Sequence, residues 1–195
     1  MTERLTNQLK FLIEADKLKS VERRNLIIDK SRYENTAEHS WHFALMALTL
    51  YEYASDAVDI NRVIKMALVH DLVEVYAGDT FAFDEEGYES KLQRESEAAD
   101  RLFSLLPSEQ DAEFRALWQE FDHMETPDAM YAAAIDVLHP VLTNYLTDGH
   151  PWAVNGVTSA QLLGRLAPIK AALPALWEFA ERVVQEGIEK GWLRD

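Results

Sequence analysis

The spacing of apolar residues is the feature that most constrains how this chain can fold. Its 195 residues contain only seven glycines and six prolines, and most segments between them repeat apolar side chains at helical spacing. No segment shows sustained two-residue alternation, although residues 26–28 (Leu-Ile-Ile) suit a short extended stretch. The pattern therefore predicts an all-α chain, folded as a single domain over residues 1–195 into a helical bundle of six or seven helices.

Two capping patterns mark where helices begin. Asn35, with Glu38 three residues later, predicts a capping box. Thr126 followed by Pro127 predicts an N-cap with proline in the first helical position, which opens a helix over residues 127–147.

Glycine and proline mark where helices end or bend. A helix predicted over residues 60–75 has Gly78 as its stop. Pro140 lies inside the later helix, and proline has no backbone N–H to donate. We therefore expect a kink or break near His139.

Composition narrows the classes of function. The formal net charge of −15 argues against a nucleic-acid polymer as partner, but a bound cation and a few arginines still permit a small phosphorylated substrate. The absence of cysteine excludes disulfides and thiol catalysis. The sequence shows neither a signal-peptide pattern nor an apolar run of membrane-spanning length. We expect a cytoplasmic protein that does not engage a membrane.

The strongest local feature is a group of polar residues on an otherwise apolar segment. His70 and Asp71 are adjacent, and Glu74 follows at helical spacing from both, so the three side chains can face one side. Placing three polar groups there is costly unless something satisfies them.

Two more residues of the same chemistry stand alone elsewhere in the chain. His39 falls in the first turn of a predicted helix, and Asp136 is a single carboxylate among apolar residues. A buried carboxylate needs a cation or hydrogen-bond donors. Together with His70 and Asp71 they offer two imidazoles and two carboxylates, which suit one divalent ion (Mn²⁺, Co²⁺, Fe²⁺, Ni²⁺ or Zn²⁺) and leave room for water and substrate.

The order of these residues resembles the HD-domain metal-dependent phosphohydrolases. Segments 34–40 and 70–79 look more specifically like the 5′-deoxynucleotidase branch, and the resemblance runs from about residue 9 to residue 146. It implies a helical domain of the HD type and, because members are often dimers, a homodimer. The residues that match the metal ligands of the family are His39, His70, Asp71 and Asp136.

The resemblance also implies roles for residues around the metal. Glu74 matches the acidic residue that takes the proton of the attacking water. Asp79 matches a residue that faces the sugar, and Thr80 follows it as a further substrate-binding candidate. Arg24 falls where the family keeps a phosphate-binding arginine, although the neighbouring Arg23 competes for that role.

Two departures from the family concern substrate selectivity. The phosphate-binding arginine is usually followed by tryptophan, whereas Asn25 follows here. Residues 80–83 read Thr-Phe-Ala-Phe where the characterised branch has proline-containing sequence. Both departures bear on the nucleotide and leave the metal centre intact.

Four further residues have two readings each. His42 and His139 follow predicted ligands by three positions and are either additional ligands or core histidines that support them. Lys91 and Arg94 either fold over a phosphate or pair with neighbouring acids on a solvated helix face.

The leading hypothesis is a phosphomonoesterase that removes the 5′-phosphate of (deoxy)nucleoside monophosphates by attack of a metal-bound water. One alternative keeps the centre and changes the substrate to another phosphorylated metabolite or a signalling nucleotide. The other is a metal- or nucleotide-binding module without turnover, against which the presence of Glu74 argues.

Overall fold

Helices dominate the computed structural model, which describes residues 2–195. The longer helices are α1 (Glu3–Ala15), α2 (Thr36–Thr49), α3 (Ile60–Val69), α5 (Glu85–Phe103), α6 (Ser108–His123), α7 (Pro127–Leu146) and α11 (Trp177–Glu189). The shorter ones are α4 (Glu74–Ala77), α8 (His150–Asn155), α9 (Ser159–Arg165) and α10 (Ala167–Ala172). Single 3-10 segments cover Asp16–Ser20, Tyr51–Tyr53 and Pro174–Leu176. Strands β1 (Glu22–Leu26) and β2 (Tyr33–Asn35) pair antiparallel.

The predicted number of six or seven helices is wrong, because residues 2–195 form eleven α-helices. The extra ones are short: α4 has 4 residues, α8 and α10 have 6 each and α9 has 7. Segments of that length contain at most two helical turns and show no complete apolar period. The small β1–β2 sheet is a second departure from a purely helical fold, since β1 carries the polar sequence Glu-Arg-Arg-Asn-Leu.

The predicted helix over residues 60–75 is interrupted at the His-Asp pair. Helix α3 ends at Val69, and His70 is its C-cap. The backbone then closes i→i+3 turns, in which the Glu74 N–H donates to the Asp71 carbonyl at 3.0 Å, before α4 begins at Glu74. Such tight turns redirect successive side chains, so His70 and Asp71 face one cavity from the end of a helix.

Helix α7 is the central element of the fold. It runs from Pro127 to Leu146 with Pro140 inside it, so of the kink or break predicted near His139 the break is wrong, and the kink stays a prediction. Helices α2, α3, α6 and α10 pack against it. The predicted caps are confirmed: Asn35 and Glu38 form the capping box of α2, and the Thr126 side chain accepts from the Ala129 N–H.

Apolar side chains from the long helices and from the C-terminal segment form one buried cluster. Its largest members with almost no exposed surface include Phe43, Phe103, Ile135 and Trp152. Burial of aromatic and aliphatic side chains of this size fixes α2, α5, α7 and α8 relative to one another. Within residues 2–195, every helix is too short or too polar to cross a lipid bilayer.

Candidate active site

A cavity of about 470 Å³ opens where β1, the α3–α4 turn, α7 and α9 meet. His70, Asp71 and Glu74 line it from the α3–α4 turn. Asp136 lines it from the middle of α7, and Arg165 lines it from the end of α9.

The structure brings the four predicted ligands together: His70, Asp71 and Asp136 line the cavity, and His39 is buried directly behind its wall. His39 Nε2 lies 2.9 Å from Asp136 Oδ1 and 3.8 Å from Asp71 Oδ2. His70 Nε2 lies 3.0 Å from Asp71 Oδ2 and 3.8 Å from Asp136 Oδ1. Two ring nitrogens and two carboxylate oxygens, contributed by α2, the α3–α4 turn and α7, therefore point at a common centre.

The hydrogen bonds of His70 show which of its ring nitrogens is free to bind a cation. Its Nδ1–H donates to the Ala67 carbonyl at 3.0 Å, because a carbonyl oxygen only accepts. The proton is thereby assigned to Nδ1, and Nε2 keeps a lone pair that points at two carboxylates. Among residues 2–195 this buried Nε2 has no hydrogen-bond partner. A divalent cation coordinated by nitrogen and oxygen fits this donor set.

The charges at the centre favour the metal-binding forms of the carboxylates. Burial raises the pKa of Asp71 and Asp136, but the neighbouring imidazoles outweigh it and leave the pKa of each below its ordinary value. Burial lowers the pKa of His39 to about 4, which keeps that ring neutral. The pKa of His70 shifts upward, because Asp71 overcomes the effect of burial.

Glu74 lies beside the four-residue centre rather than within it. Its buried Oε2 accepts a hydrogen bond from the Thr36 hydroxyl at 2.9 Å. Burial, followed by the charges of Asp71 and Asp79, raises the pKa of Glu74 well above its ordinary value. A carboxyl group with a raised pKa is suited to accepting a proton from water near neutral pH.

Strand alternation separates the two candidate arginines. Arg23 faces inward, with Nη1 3.3 Å from Asp71 Oδ2 and 3.4 Å from Asp79 Oδ1, and it lines the cavity. Arg24 points the other way: its side chain is about half exposed, and Nη1 donates to Asn155 Oδ1 at 2.9 Å. The structure thus places Arg23 in the cavity, and Arg24 outside its lining.

The predicted substrate-binding residues Asp79 and Thr80 both line the cavity. The Thr80 hydroxyl accepts from Arg94 Nη2 at 2.8 Å, and Arg94 Nη1 also donates to the Ala77 carbonyl at 2.6 Å. Arg94 therefore stabilises the loop before α5. This role differs from both predictions, which were contact with a phosphate and pairing with acids on a solvated helix face. Lys91 lines the cavity with its Nζ 3.6 Å from Glu95, so it pairs with a neighbouring acid as one reading predicts, and its role toward a phosphate stays a prediction.

Three residues near the centre did not stand out in the sequence. Asn144 on α7 accepts a hydrogen bond from Asn25 Nδ2 at 2.8 Å, and both amides are buried in the cavity wall. Arg165 Nη2 approaches Asp136 Oδ2 to 3.7 Å. Glu34 is buried in β2 behind His39. Asn144 could have been predicted from the sequence, because it follows Asp136 at helical spacing and so faces the same side of α7. Arg165 belongs to no motif and could not.

The two histidines with open readings both lie outside the four-residue centre. His139 is fully buried behind His39, with its Nδ1 2.7 Å from His39 Nδ1. His42 is half-buried and packs edge-on against the His139 ring, with centroids 4.4 Å apart. Neither ring is in the group formed by His39, His70 and Asp136, but His139 forms a second close group with Glu34 and His39 whose ligand atoms also lie near enough to one another to share an ion.

A family model described as "HD domain" matches residues 15–177 of this chain. The protein named 5′-deoxynucleotidase HDDC2 from Homo sapiens is 30% identical over 135 residues, covering 69% of this chain and 65% of the relative. The relative of the same name from Dictyostelium discoideum is 29% identical over 153 residues, covering 75% and 80%. The chain thus spans slightly under two thirds of the human protein's length.

A solved structure resembles this chain along nearly its whole length. It is the crystal structure of a predicted metal-dependent phosphohydrolase from Magnetospirillum magnetotacticum MS-1, with 48% sequence identity and a TM-score of 0.94. The similarity covers 99% of this chain and 97% of that one, so it includes the C-terminal helices that close the cavity.

Proposed function

Because the chain belongs to the HD domain family, we propose that it is a metal-dependent phosphohydrolase with one divalent ion held by His39, His70, Asp71 and Asp136. The observation that carries the proposal is the convergence of two Nε2 atoms and two carboxylates on one point. The buried, partnerless Nε2 of His70, as seen within residues 2–195, supports it independently. The ion is one of Mn²⁺, Co²⁺, Fe²⁺, Ni²⁺ or Zn²⁺, and availability decides among them.

A bound divalent ion supplies Lewis acidity, which neutralises phosphoryl charge and makes water more acidic. The residues of the chain provide the rest of the reaction. Glu74 accepts the proton of the attacking water, because its carboxylate lies in the cavity beside the centre and burial raises its pKa well above that of an ordinary carboxyl group. The Thr36 hydroxyl, which donates to Glu74 Oε2, keeps that carboxylate oriented.

Arg23 is the residue that we propose for the phosphate, in place of Arg24. Its guanidinium lies 3.3 Å from Asp71 and lines the same cavity, so an anion next to the centre lies within its reach. Lys91 and Arg165 add positive charge on two other walls. Three cations around one cavity offset the overall acidity of the chain where the substrate binds.

We propose a nucleoside monophosphate as the substrate class, because polar groups line the cavity at the spacing of a phosphate, a sugar and a base. Asp136 and Asn144 are eight residues apart on α7, which places the Asn25–Asn144 amide pair about 12 Å along the helix from the centre. Asp79 lines the cavity beside Arg23, where a carboxylate can accept from a sugar hydroxyl. The relatives named 5′-deoxynucleotidase support the same class.

The Asn25–Asn144 pair also favours a second candidate, another phosphorylated metabolite or a signalling nucleotide. The two buried amides share one hydrogen bond, so each has further N–H or C=O groups that can bind a polar group of the substrate. Any phosphate ester that is long enough to reach them and ends in a polar group can form those hydrogen bonds. A homodimer and a cytoplasmic location stay predictions from the sequence.

The test is phosphate release by metal-stripped protein that has been reloaded with each of the five ions. Substrates are the four deoxynucleoside 5′-monophosphates, their ribose counterparts, a pyrophosphorylated guanosine and a simple sugar phosphate. We expect release from nucleoside monophosphates, and loss of release in Asp136→Asn, which keeps the shape of the side chain and removes its charge. Absence of release from every compound, with metal binding verified, would contradict the proposal.

A further inference from the structure

Behind the four-residue centre, a second row of buried polar groups leads away from His39. His39 Nδ1 lies 2.7 Å from His139 Nδ1. His139 Nε2 lies 3.4 Å from Glu34 Oε1, and the other oxygen of Glu34 lies 3.6 Å from Arg23 Nε. His39 and His139 have no exposed surface, and Glu34 is 6% exposed.

The geometry assigns a proton to each link of this row. Without an ion, His39 Nε2–H donates to Asp136 Oδ1 at 2.9 Å, because a carboxylate oxygen only accepts, and the one proton between the two rings comes from His139 Nδ1. When His39 Nε2 binds an ion, its ring proton lies on Nδ1 and is donated to His139 Nδ1, which puts the His139 proton on Nε2. The acceptor nearest to that N–H is Glu34 Oε1 at 3.4 Å, and within residues 2–195 this contact is not a hydrogen bond.

We propose that His139 is a positioning residue that accepts from the Nδ1–H of metal-bound His39 and so fixes the tautomer and ring orientation of that ligand. The inference rests on the proposed metal centre. A histidine ligand whose second nitrogen donates to a fixed acceptor is held in one orientation and binds metal more strongly. Glu34 lies between His139 and Arg23, 3.4 Å from the first and 3.6 Å from the second, so the buried row reaches the phosphate-binding side.

An alternative is that His139 only fills space in the core of α7. The burial of His39, His139 and Glu34 together argues against this alternative. Burying polar side chains is costly, and a space-filling role at position 139 needs only an apolar residue. His42 touches the same ring only edge-on, so it is a neighbour that takes no part in the row.

Two substitutions at position 139 separate positioning from packing. His139→Asn places an amide oxygen about where Nδ1 lies and keeps an acceptor, whereas His139→Leu fills the space without one. His42→Leu is the matched control, since it removes an adjacent imidazole and leaves the row intact. Calorimetric titration of each metal-free protein with Mn²⁺ gives the dissociation constant. We expect His139→Leu to weaken binding about 10- to 100-fold, and the other two variants to stay within about threefold of the wild type, by the same principle.

The nitrogen-15 shifts of the wild type, first without metal and then with diamagnetic Zn²⁺, give a second readout that does not depend on activity. We expect the His139 proton on Nδ1 without metal and on Nε2 with Zn²⁺, because the Nδ1–H of the metal-bound His39 then donates to His139. A His139 tautomer that stays the same when Zn²⁺ binds, or unchanged Mn²⁺ affinity in a folded His139→Leu, would overturn the inference. If His139→Leu does not fold, the wild-type tautomers decide. A wild type that binds no Mn²⁺ overturns the metal centre as well, so the two failures are distinguishable.

Discussion

At the scale of single residues, the two adjacent arginines of β1 show that a shift of one position along a strand changes what a side chain contacts. Arg23 and Arg24 have the same side chain, but strand alternation sends the first toward Asp71 and Asp79 and the second toward Asn155. The sequence alone left both arginines as candidates, because the exact register of a short polar strand is not visible in it.

The arginine pair gives a direct test. We expect Arg23→Ala to lower kcat/KM about 100-fold, the size of losing a charge-assisted bond of about 2–3 kcal/mol in a buried site. Arg24→Ala serves as the matched control and should change kcat/KM by less than about threefold, because its half-exposed side chain lies 3.6 Å from Asp84 in a surface ion pair outside the cavity lining. Steady-state phosphate release by both variants, after circular dichroism confirms folding, measures this. Equal losses in the two variants would contradict the assignment.

A substitution of Glu74 separates catalytic turnover from metal binding. Replacing it with glutamine keeps the shape and removes the proton acceptor, so kcat should fall about 10²- to 10⁴-fold. Because Glu74 lies outside the group of four, Mn²⁺ affinity should remain close to that of the wild type. Single-turnover phosphate release and Mn²⁺ titration on the same sample measure both quantities. Unchanged release would remove Glu74 from the mechanism.

At the scale of elements, helix caps couple local stability to the centre. The capping box of α2 lies one turn before His39, and α9 has a second capping box at Thr158. The two boxes are chemically alike, but only the first supports a helix turn that carries a proposed ligand.

We therefore expect Asn35→Ala to cost about 1 kcal/mol of unfolding free energy and also to weaken Mn²⁺ binding. Thr158→Ala should cost about the same stability, by the same loss of a cap, and leave Mn²⁺ affinity unchanged. Urea unfolding of the metal-free variants and Mn²⁺ titration separate the two effects. Equal metal affinity in both variants would show that the first turn of α2 does not position His39.

The helices differ in how well they could be predicted from the sequence. Caps and long apolar periods predicted α2 and α7, and the same signals placed His39 and Asp136 correctly on helices. The α3–α4 turn was missed because the apolar period continues through it while the backbone bends at His70. Tertiary packing, rather than local propensity, decides such a bend.

The same reasoning explains what was missed at the cavity. Arg165 and Glu34 reach the site through the docking of α9 and the pairing of β2, both of which depend on distant parts of the chain. Asn25 was noticed only as a departure from the family, and its partner Asn144 became visible once β1 lay against α7. Motif spacing found the metal residues, whereas the rest of the cavity depends on three-dimensional contact.

At the scale of the whole molecule, the proposed ion is bound by the folded chain and not by the unfolded one. Mn²⁺ at 100 times its dissociation constant should add about 2.7 kcal/mol to the unfolding free energy. For a chain of this size that corresponds to a rise of about 5–10 °C in the thermal midpoint. Calorimetry with Mn²⁺ and then with excess chelator measures the shift. Asp136→Asn should show little of it, and an equal shift there would point to binding elsewhere.

The four proposed ligands come from three stretches that are far apart along the chain. An ion bound there acts as a removable cross-link between the N-terminal and C-terminal halves of the fold. Since all three stretches must dock before the ion can be held, the link forms late, and its loss mainly speeds unfolding. Chelation would then shorten the lifetime of the native state more than it slows refolding. Resistance to proteolysis would follow the supply of divalent metal.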